Sequence, residues 1–530
     1  MIWLMSLAAA LAAPTVLGAD PSPPTDVPED SPPVAPVAVP PAPEPPPAEE
    51  LKPFELRGIY TVWGLTQENF MLGTDHPLDD AAYTVQMLRL DGKAQQEGYG
   101  VRARLDLAQG WWGVDNDPNR SSALGVDDDG STVAIDAYNT NAMFENKGTH
   151  YGLHVDLAYG WIDLPGVPVQ VRLGRQYYGV GHKIVLDMDY DGIQVEATPA
   201  EGVTVQAWWA KVGEGLAGRT LPTGLLMGDS GAYADADLFG LVGDVETGEH
   251  AFSAYGLYYM DRSDVSDWSV FPHDLGYFRA RHSPNISRAL AVGATADGTF
   301  DLGAGLAYSA EVDWLTGADD VANTDHAGGN LDINDGTLRG YDLYATLDQT
   351  VRVGVPLTFG ALFGMGSGDG DTTGGPGNLQ RLQTMGFFPL TYVWEDSVMP
   401  DMEGISPQGL GSPVSRGYRE LENTTAIQAR VSTVLAKRLT VGGTYTYLSA
   451  TQAVRGFDAT GTPVGEGATD LGQEVDGKVS WALPVKGRGA SLTALGGVFF
   501  PGDAAGNLIL GSSASMEAAW ELKTVAALKF

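Results

Sequence analysis

The 530-residue chain contains no cysteine, which excludes disulfide staples, thiolate-bound metals and a lipid-modified cysteine anchor. Beyond its first twenty residues it also lacks any apolar run of about 20 residues, the length a membrane-crossing helix needs. Cations are scarce: 31 Lys and Arg stand against 67 Asp and Glu, for a net charge of −36. Such a chain is not a nucleic-acid binder, because phosphates select basic surfaces. Catalytic signatures are missing as well. No G-x-S-x-G surrounds a serine, so the eight histidines have no evident nucleophile to serve, and no enzyme is expected.

What is present fits a different solvent on one side. The chain carries 12 Trp and 21 Tyr among 69 Gly, yet its mean hydropathy is only −0.09. A membrane β-barrel reconciles these facts. Each strand shows lipid with every second residue, so average hydropathy stays low while aromatics collect at the two interfaces.

Three regions are expected. Residues 1–19 read as a secretory signal peptide: an apolar stretch from Met1 to Leu17, then Gly18 and Ala19. No Lys or Arg precedes the apolar core, and Pro14 interrupts it; an anchor helix is the competing reading. Cleavage is placed near Gly18 or Ala19, with a site after Ala12 as the alternative. Residues 20–53 form a proline-rich spacer, as in Pro45-Pro46-Pro47. Such a segment cannot bury a core and is expected to be extended, reaching about 100 Å at most. It is read as a periplasmic tether, or as a docking segment for a periplasmic partner. Residues 54–530 are read as the barrel.

The barrel reading rests on period-2 segments. From Asp301 to Trp314, Leu302, Ala304, Leu306, Tyr308, Ala310, Val312 and Trp314 share one face, and Asp301, Ser309, Glu311 and Asp313 lie on the other. Tyr151, Leu153, Val155, Leu157, Tyr159 and Trp161 repeat the apolar face. Short connections (164–168, 199–202, 244–249, 296–299, 436–438, 484–489) alternate with long ones (112–149, 317–337, 366–422, 451–472), the pattern of periplasmic turns and outer loops. Seventeen strands are evident at once. Both termini on the periplasmic side require an even number, and Asp235–Gly243 supplies the eighteenth. The expected fold is therefore an all-β transmembrane antiparallel barrel of about 18 strands in a bacterial outer membrane. A barrel of that size leaves an aqueous lumen. The last strand, ending in Phe530, alternates Trp520, Leu522, Ala526 and Leu528 against Glu521, Lys523 and Lys529. This resembles the terminal assembly signal of outer-membrane barrels.

By alternation, Arg57, Arg102, Arg104, Asp106, Asp156, Arg172, Glu196, Glu311, Asp313, Asp342, Arg430, Asp476 and Lys478 are expected to line the pore, with Asp348 and Glu474 beside them. Three segments carry a family resemblance. Gly174-Arg175-Gln176 is followed by Asp191-Gly192; Ala310 to Gly317 forms a Glu-containing strand ending in Gly; Ser367-Gly368-Asp369 closes a strand before a long loop holding Phe387-Phe388-Pro389. Together these resemble the alginate-export family of outer-membrane porins. The resemblance implies an 18-stranded barrel and passage of a saccharide polyanion, for which an arginine-lined pore is expected. The mixed charge of this face departs from that pattern. Strict alternation directs Arg175 toward lipid, so a bulge, an end-of-strand position or snorkelling is expected there.

Two further motifs are weak. Asp187-Met188-Asp189-Tyr190-Asp191-Gly192 opens like a calcium loop, but its twelfth position is Thr198 rather than Glu. Gly213 to Gly218 fits G-x-G-x-x-G without a helix after it. No cofactor is expected, and any calcium is expected only weakly, at acidic loops such as Asp115-Asn116-Asp117 and Asp127-Asp128-Asp129. The partners anticipated are outer-membrane lipid and small hydrophilic or saccharide solutes. The alternative to a channel is a structural or adhesive barrel whose loops bind a surface partner.

Overall fold

A computed structural model describes residues 52–70, 72–73, 81–109, 151–213, 236–261, 288–302, 305–318, 337–368, 386, 388–398, 421–457, 463–485, 489–514 and 516–530, with a short hairpin at 125–126 and 132–133. The proposed leader, nearly all of the proline-rich spacer, the two acidic loops named for calcium and Asp369 lie outside the described residues.

Eighteen strands run in chain order. They are β1 (Phe54–Glu68), β2 (Ala81–Gln96), β3 (Tyr99–Gln109), β4 (Tyr151–Asp163), β5 (Val169–Val180), β6 (Leu186–Ala200), β7 (Val203–Gly213), β8 (Ala236–Thr247) and β9 (His250–Asp261). Then follow β10 (Arg288–Phe300), β11 (Leu306–Ala318), β12 (Thr337–Val353), β13 (Val355–Gly366), β14 (Thr424–Leu435), β15 (Leu439–Phe457), β16 (Pro463–Leu483), β17 (Ala490–Pro501) and β18 (Ala519–Lys529). Every strand pairs antiparallel with its sequence neighbours, and β1 pairs with β18, so the sheet closes without an edge. Closure satisfies the backbone inside a bilayer, where no water replaces a missing partner. Gly58 and Phe530 exchange both backbone hydrogen bonds at the seam, 2.8 and 2.9 Å.

The two faces of each strand are inverted relative to a water-soluble protein. Val312 and Trp314 are 52% and 46% exposed, while Glu311 and Asp313 between them are 1% and 2% exposed. Large apolar side chains look outward around the barrel, including Leu173, Leu241, Phe359, Ile427 and Val479. Near the short-turn end, Phe300 stacks on Tyr308 at 5.1 Å, with His250 5.3 Å from Phe300. This is the aromatic belt expected where hydrocarbon meets water.

Several boundaries differ from the sequence reading. The turn placed at 296–299 lies at 301–305, because β10 and β11 stay in register out to Phe300 and Leu306; Leu302 therefore belongs to a turn. The eighteenth strand extends to Thr247, leaving only Gly248 and Glu249 as the turn. Most of the stretch 451–472 is strand, since β15 and β16 run on with irregular pairing to Phe457 and Pro463. The alternation of loop lengths also has an exception: the outer connection between β5 and β6 spans only residues 181–185.

Two inward-folded segments

A bulge in β4 resets one face. Arg104 opposes Leu157, but the next residue, Leu105, opposes Val155, leaving Asp156 as the extra residue. Beyond it, Leu157, Tyr159 and Trp161 pair with Arg104, Arg102 and Arg172 and share their lumenal face. The apolar alternation read from the sequence had put these three toward lipid. One inserted residue is enough to flip the rest of a strand.

The charged side chains around this bulge form one network. Arg102 holds Asp91 through two hydrogen bonds, 2.9 and 2.6 Å. Arg104 bridges Asp91 at 3.1 Å and Asp156 at 3.1 Å. Arg89 clamps Asp106 at 2.7 and 2.6 Å and lies 3.6 Å from Asp156. Arg172 pairs with Glu196 at 3.2 Å. Paired bidentate geometry of this kind fixes guanidinium planes in place. Arg89 and Asp91 were not singled out from sequence, though they alternate in β2 like the residues that were. Elsewhere on the lumenal face Arg430 pairs with Asp348 at 2.9 Å, and Arg57 pairs with Glu55 at 3.1 Å near the short-turn rim. Asp313 and Asp342 are direct cross-strand partners. The Tyr255 hydroxyl lies 2.6 Å from Glu311 and 2.5 Å from Asp313. Asp476 and Lys478 follow Glu474 along one face of β16. Among the described residues no group of three acidic or histidine side chains converges into a metal site.

The first segment that leaves the wall is the outer half of the β5–β6 hairpin. Pairing between β4 and β5 stops at Ala158–Arg175, and pairing between β6 and β7 stops at Asp191–Lys211. β5 and β6 nevertheless stay paired with each other out to Val180–Leu186. The freed hairpin crosses the lumen. Its Tyr178, Val180, Val185, Leu186 and Tyr190 pack on Trp208, Leu238, Leu257 and Leu338 of the wall. At the tip, His182 reaches β10 and β11: its Nδ1 lies 2.6 Å from Glu311, its backbone N–H donates to the same carboxylate at 2.6 Å, and its Nε2 lies 2.9 Å from Asp297. Burial disfavours a charged imidazole there, but the hydrogen bonds with Asp297 and Glu311 and their charges outweigh it and push His182 up to about 9.

Arg175 sits where the hairpin departs. Its Nε donates to the Val155 carbonyl at 2.8 Å, and a guanidinium nitrogen lies 3.9 Å from Asp191. No bulge lies in β5 at Arg175: alternation holds from buried Arg172 and exposed Leu173 to buried Gln176 and exposed Tyr177, and the nearby bulge is in the β3–β4 ladder. Gln176, one residue on, is buried against the wall. The Gly-Arg-Gln and Asp-Gly motifs thus mark the base of the hairpin.

The second segment comes from the connection between β13 and β14. Ser367, at its start, accepts the Tyr341 N–H at 3.0 Å; Gly368 follows it against Asn423. Residues 388–398 then enter the lumen and end in one π-helical turn, Trp394–Val398. Fully buried Glu474 on β16 accepts the backbone N–H groups of Tyr392, Val393 and Trp394 at 2.5, 2.7 and 2.8 Å. Glu395 accepts the N–H groups of Leu390 and Thr391, and Gln428 donates to the Leu390 carbonyl at 2.8 Å. Trp394 packs on Phe499 at 5.0 Å. A short helix α1 (Asp503–Leu510) adds Leu508 and Ile509 to the same apolar cluster.

The two segments meet. Ile184 of the hairpin joins the cluster formed by Leu390, Tyr392 and Val393. His182 lies 5.3 Å from the Tyr344 ring, which meets Phe388 edge-on at 4.7 Å. Together they form a partition from β5–β6 to β16, and Asp189 on the hairpin's second arm hydrogen-bonds Asp156 of the arginine network. Neither was foreseen; a short outer connection and the Phe-Phe-Pro run were the only signals.

No protein-family model and no curated protein sequence matches this chain. Solved structures do. OccAB3 of Acinetobacter baumannii aligns with TM-score 0.51 and 11% identity, over 90% of this chain and 99% of that one. OccK2 (OpdF) of Pseudomonas aeruginosa gives 0.50 and 9%, over 90% and 97%. A BenF-like porin from Pseudomonas fluorescens gives 0.51 and 8%, over 91% and 99%. At such identity the likeness is one of fold: this chain is a closed 18-stranded antiparallel β-barrel of the outer-membrane porin type, with an apolar outer face that belongs in a bacterial outer membrane.

Proposed function

We propose that the barrel is a channel for small hydrophilic solutes, saccharides included, which pass through the lumen that the inward partition and the charged wall of β2–β4 together line. The observation that carries this reading is the Arg89–Arg102–Arg104 network with Asp91, Asp106 and Asp156, held on the lumenal face beside the partition. Its charges are balanced in place, so it offers both donors and acceptors to a polar solute. Charge at the narrowest level, not the net −36 of the chain, then sets selectivity. A long polyanion would be served best by arginines without acidic partners, and here each ladder arginine holds a carboxylate; alginate itself is therefore not the solute proposed. Purified protein in planar bilayers should conduct ions, and liposomes carrying it should swell in a panel of sugars, amino acids and uronates. A folded barrel that neither conducts nor admits any solute of the panel would overturn the reading.

A further inference from the structure

We propose that the hairpin 174–192 is a hinged gate, turning about the facing glycines Gly174 and Gly192 and latched in its narrowing position by His182 between Asp297 and Glu311. The latch deepens the channel reading and rests on it for its consequence, but the motion is measurable without transport.

Three observations converge. The hinge lies at the last paired row: Gly174 and Gly192 are cross-strand partners, one row inside Arg175–Asp191, where pairing to both neighbouring strands stops. Gly174 holds φ +124°, a conformation L side chains rarely adopt, and a side chain there would strike the Ala158 carbonyl. At Gly192 a side chain would strike the Trp209 carbonyl and the Tyr178 hydroxyl. Above this row, among the described residues, neither arm of the hairpin is paired to a neighbouring wall strand, so its seat depends on side chains. At the tip, Ile184 and Val185 pack into the two apolar clusters, and the polar contacts beside them centre on His182. His182 donates into two carboxylates of different strands, and Ser309 ties Asp297 in turn.

The latch is electrostatic, and every group around it bears on it. Asp297 on β10 and Glu311 on β11 touch it; Tyr255 on β9, Asp313 on β11 and Asp342 on β12 surround Glu311; Tyr344 on β12 lies against the ring, with Arg430 and Asp348 beyond; Lys183 and Asp187 are on the hairpin itself, paired at 3.3 Å. The sign follows from the raised folded value of His182. Its contribution is complete below the ordinary histidine range and is lost as pH rises through about 9.

The test uses the absence of native cysteine. Ala291 of β10 is 4% exposed within the cluster that the hairpin covers, outside the latch. In full-length protein carrying Ala291→Cys, the rate of thiol modification by a charged methanethiosulfonate reagent, read by mass spectrometry, reports hairpin opening without any transport. Adding His182→Ala should speed labelling about tenfold or more, the size of losing one charge-assisted hydrogen bond. Raising pH through about 9 should speed labelling more with His182 present than in His182→Ala, whose rise reports only the growing thiolate fraction. His182→Arg, which keeps the charge, should stay slow. In bilayers, His182→Ala should lengthen a larger-conductance state, and bridging His182→Cys with Glu311→Cys by a short bis-methanethiosulfonate, which forms each disulfide with loss of a sulfinate, should abolish it. Labelling rates equal among the variants at each pH overturn the gate. Faster labelling with no conductance in any protein would leave the gate standing and overturn the channel.

Discussion

Glu474→Ala tests the partition most directly. The substitution removes the acceptor of three backbone N–H groups, each bonded to a buried charge. Such bonds contribute about 1.5–3 kcal/mol apiece. The gross loss is partly offset, because a released segment regains about 1–2 kcal/mol of backbone entropy per residue and its N–H groups find water. A net shift of about 3–5 kcal/mol toward the unseated segment remains, the cost usual for removing one member of a buried charged contact. At 1.4 kcal/mol per factor of ten, the seated state loses at least about two powers of ten in preference. The strand pairing of β16 is untouched, so the barrel should keep its resistance to heat and detergent on a gel. Single-channel recording should show larger and noisier currents, and Glu474→Gln, which keeps one acceptor oxygen, should fall between. Gln428→Ala removes only the Leu390 carbonyl contact and should produce a milder form of the same change. A correctly folded Glu474→Ala barrel with the wild-type conductance trace would refute the argument that this carboxylate seats the segment.

Other outcomes follow from the faces and the ladder. Val312→Arg puts a charge on the outward face and should lower barrel stability by about 2–4 kcal/mol in lipid vesicles, depending on depth; an unfolding midpoint equal to wild type would show that Val312 does not meet hydrocarbon. Arg102→Ala, Arg104→Ala and Arg172→Ala together leave Asp91, Asp156 and Glu196 without these partners. Reversal potentials in a KCl gradient should move toward cation preference, and an unmoved potential would remove these arginines from the selectivity argument. The Phe530 ring covers Gly58 at the closing seam, where any side chain would strike it. Gly58→Val should therefore slow folding into vesicles several-fold more than the same change at Gly477, which has open space.

Much of the wall was legible because period-2 alternation is a local property. Val312 and Trp314 against Glu311 and Asp313 announce both faces without knowledge of any partner strand. Parity then required a strand near Ala236. The errors came where one residue breaks the period. Asp156 is an ordinary residue in the sequence, and only its lack of a partner on β3 turns Tyr159 and Trp161 inward. The partition was less legible still, since it depends on contacts between distant segments. Nothing near Glu474 states that it will bind three N–H groups some eighty residues earlier, and nothing near His182 points to Asp297. The Asp187-to-Gly192 run did mark a special place, although its weak likeness to a calcium loop obscured that it forms one arm of a hairpin.

The seam between β1 and β18 has a kinetic consequence. Every other strand pair joins sequence neighbours, whereas this one joins residues near the start of the barrel to the last residue of the chain. Loop-closure entropy grows by about 0.6 kcal/mol for each doubling of the intervening length. Bringing Gly58 to Phe530 thus costs about 3 kcal/mol more than closing a twelve-residue hairpin. The seam is therefore the last ladder to form from the neighbour-by-neighbour sheet and the cheapest to open once formed. Amide exchange of folded protein should register this as faster exchange at Gly58 and Phe530 than at equally placed residues of β9 and β10, and an insertion elsewhere in the wall, however long its loop, would leave that order unchanged.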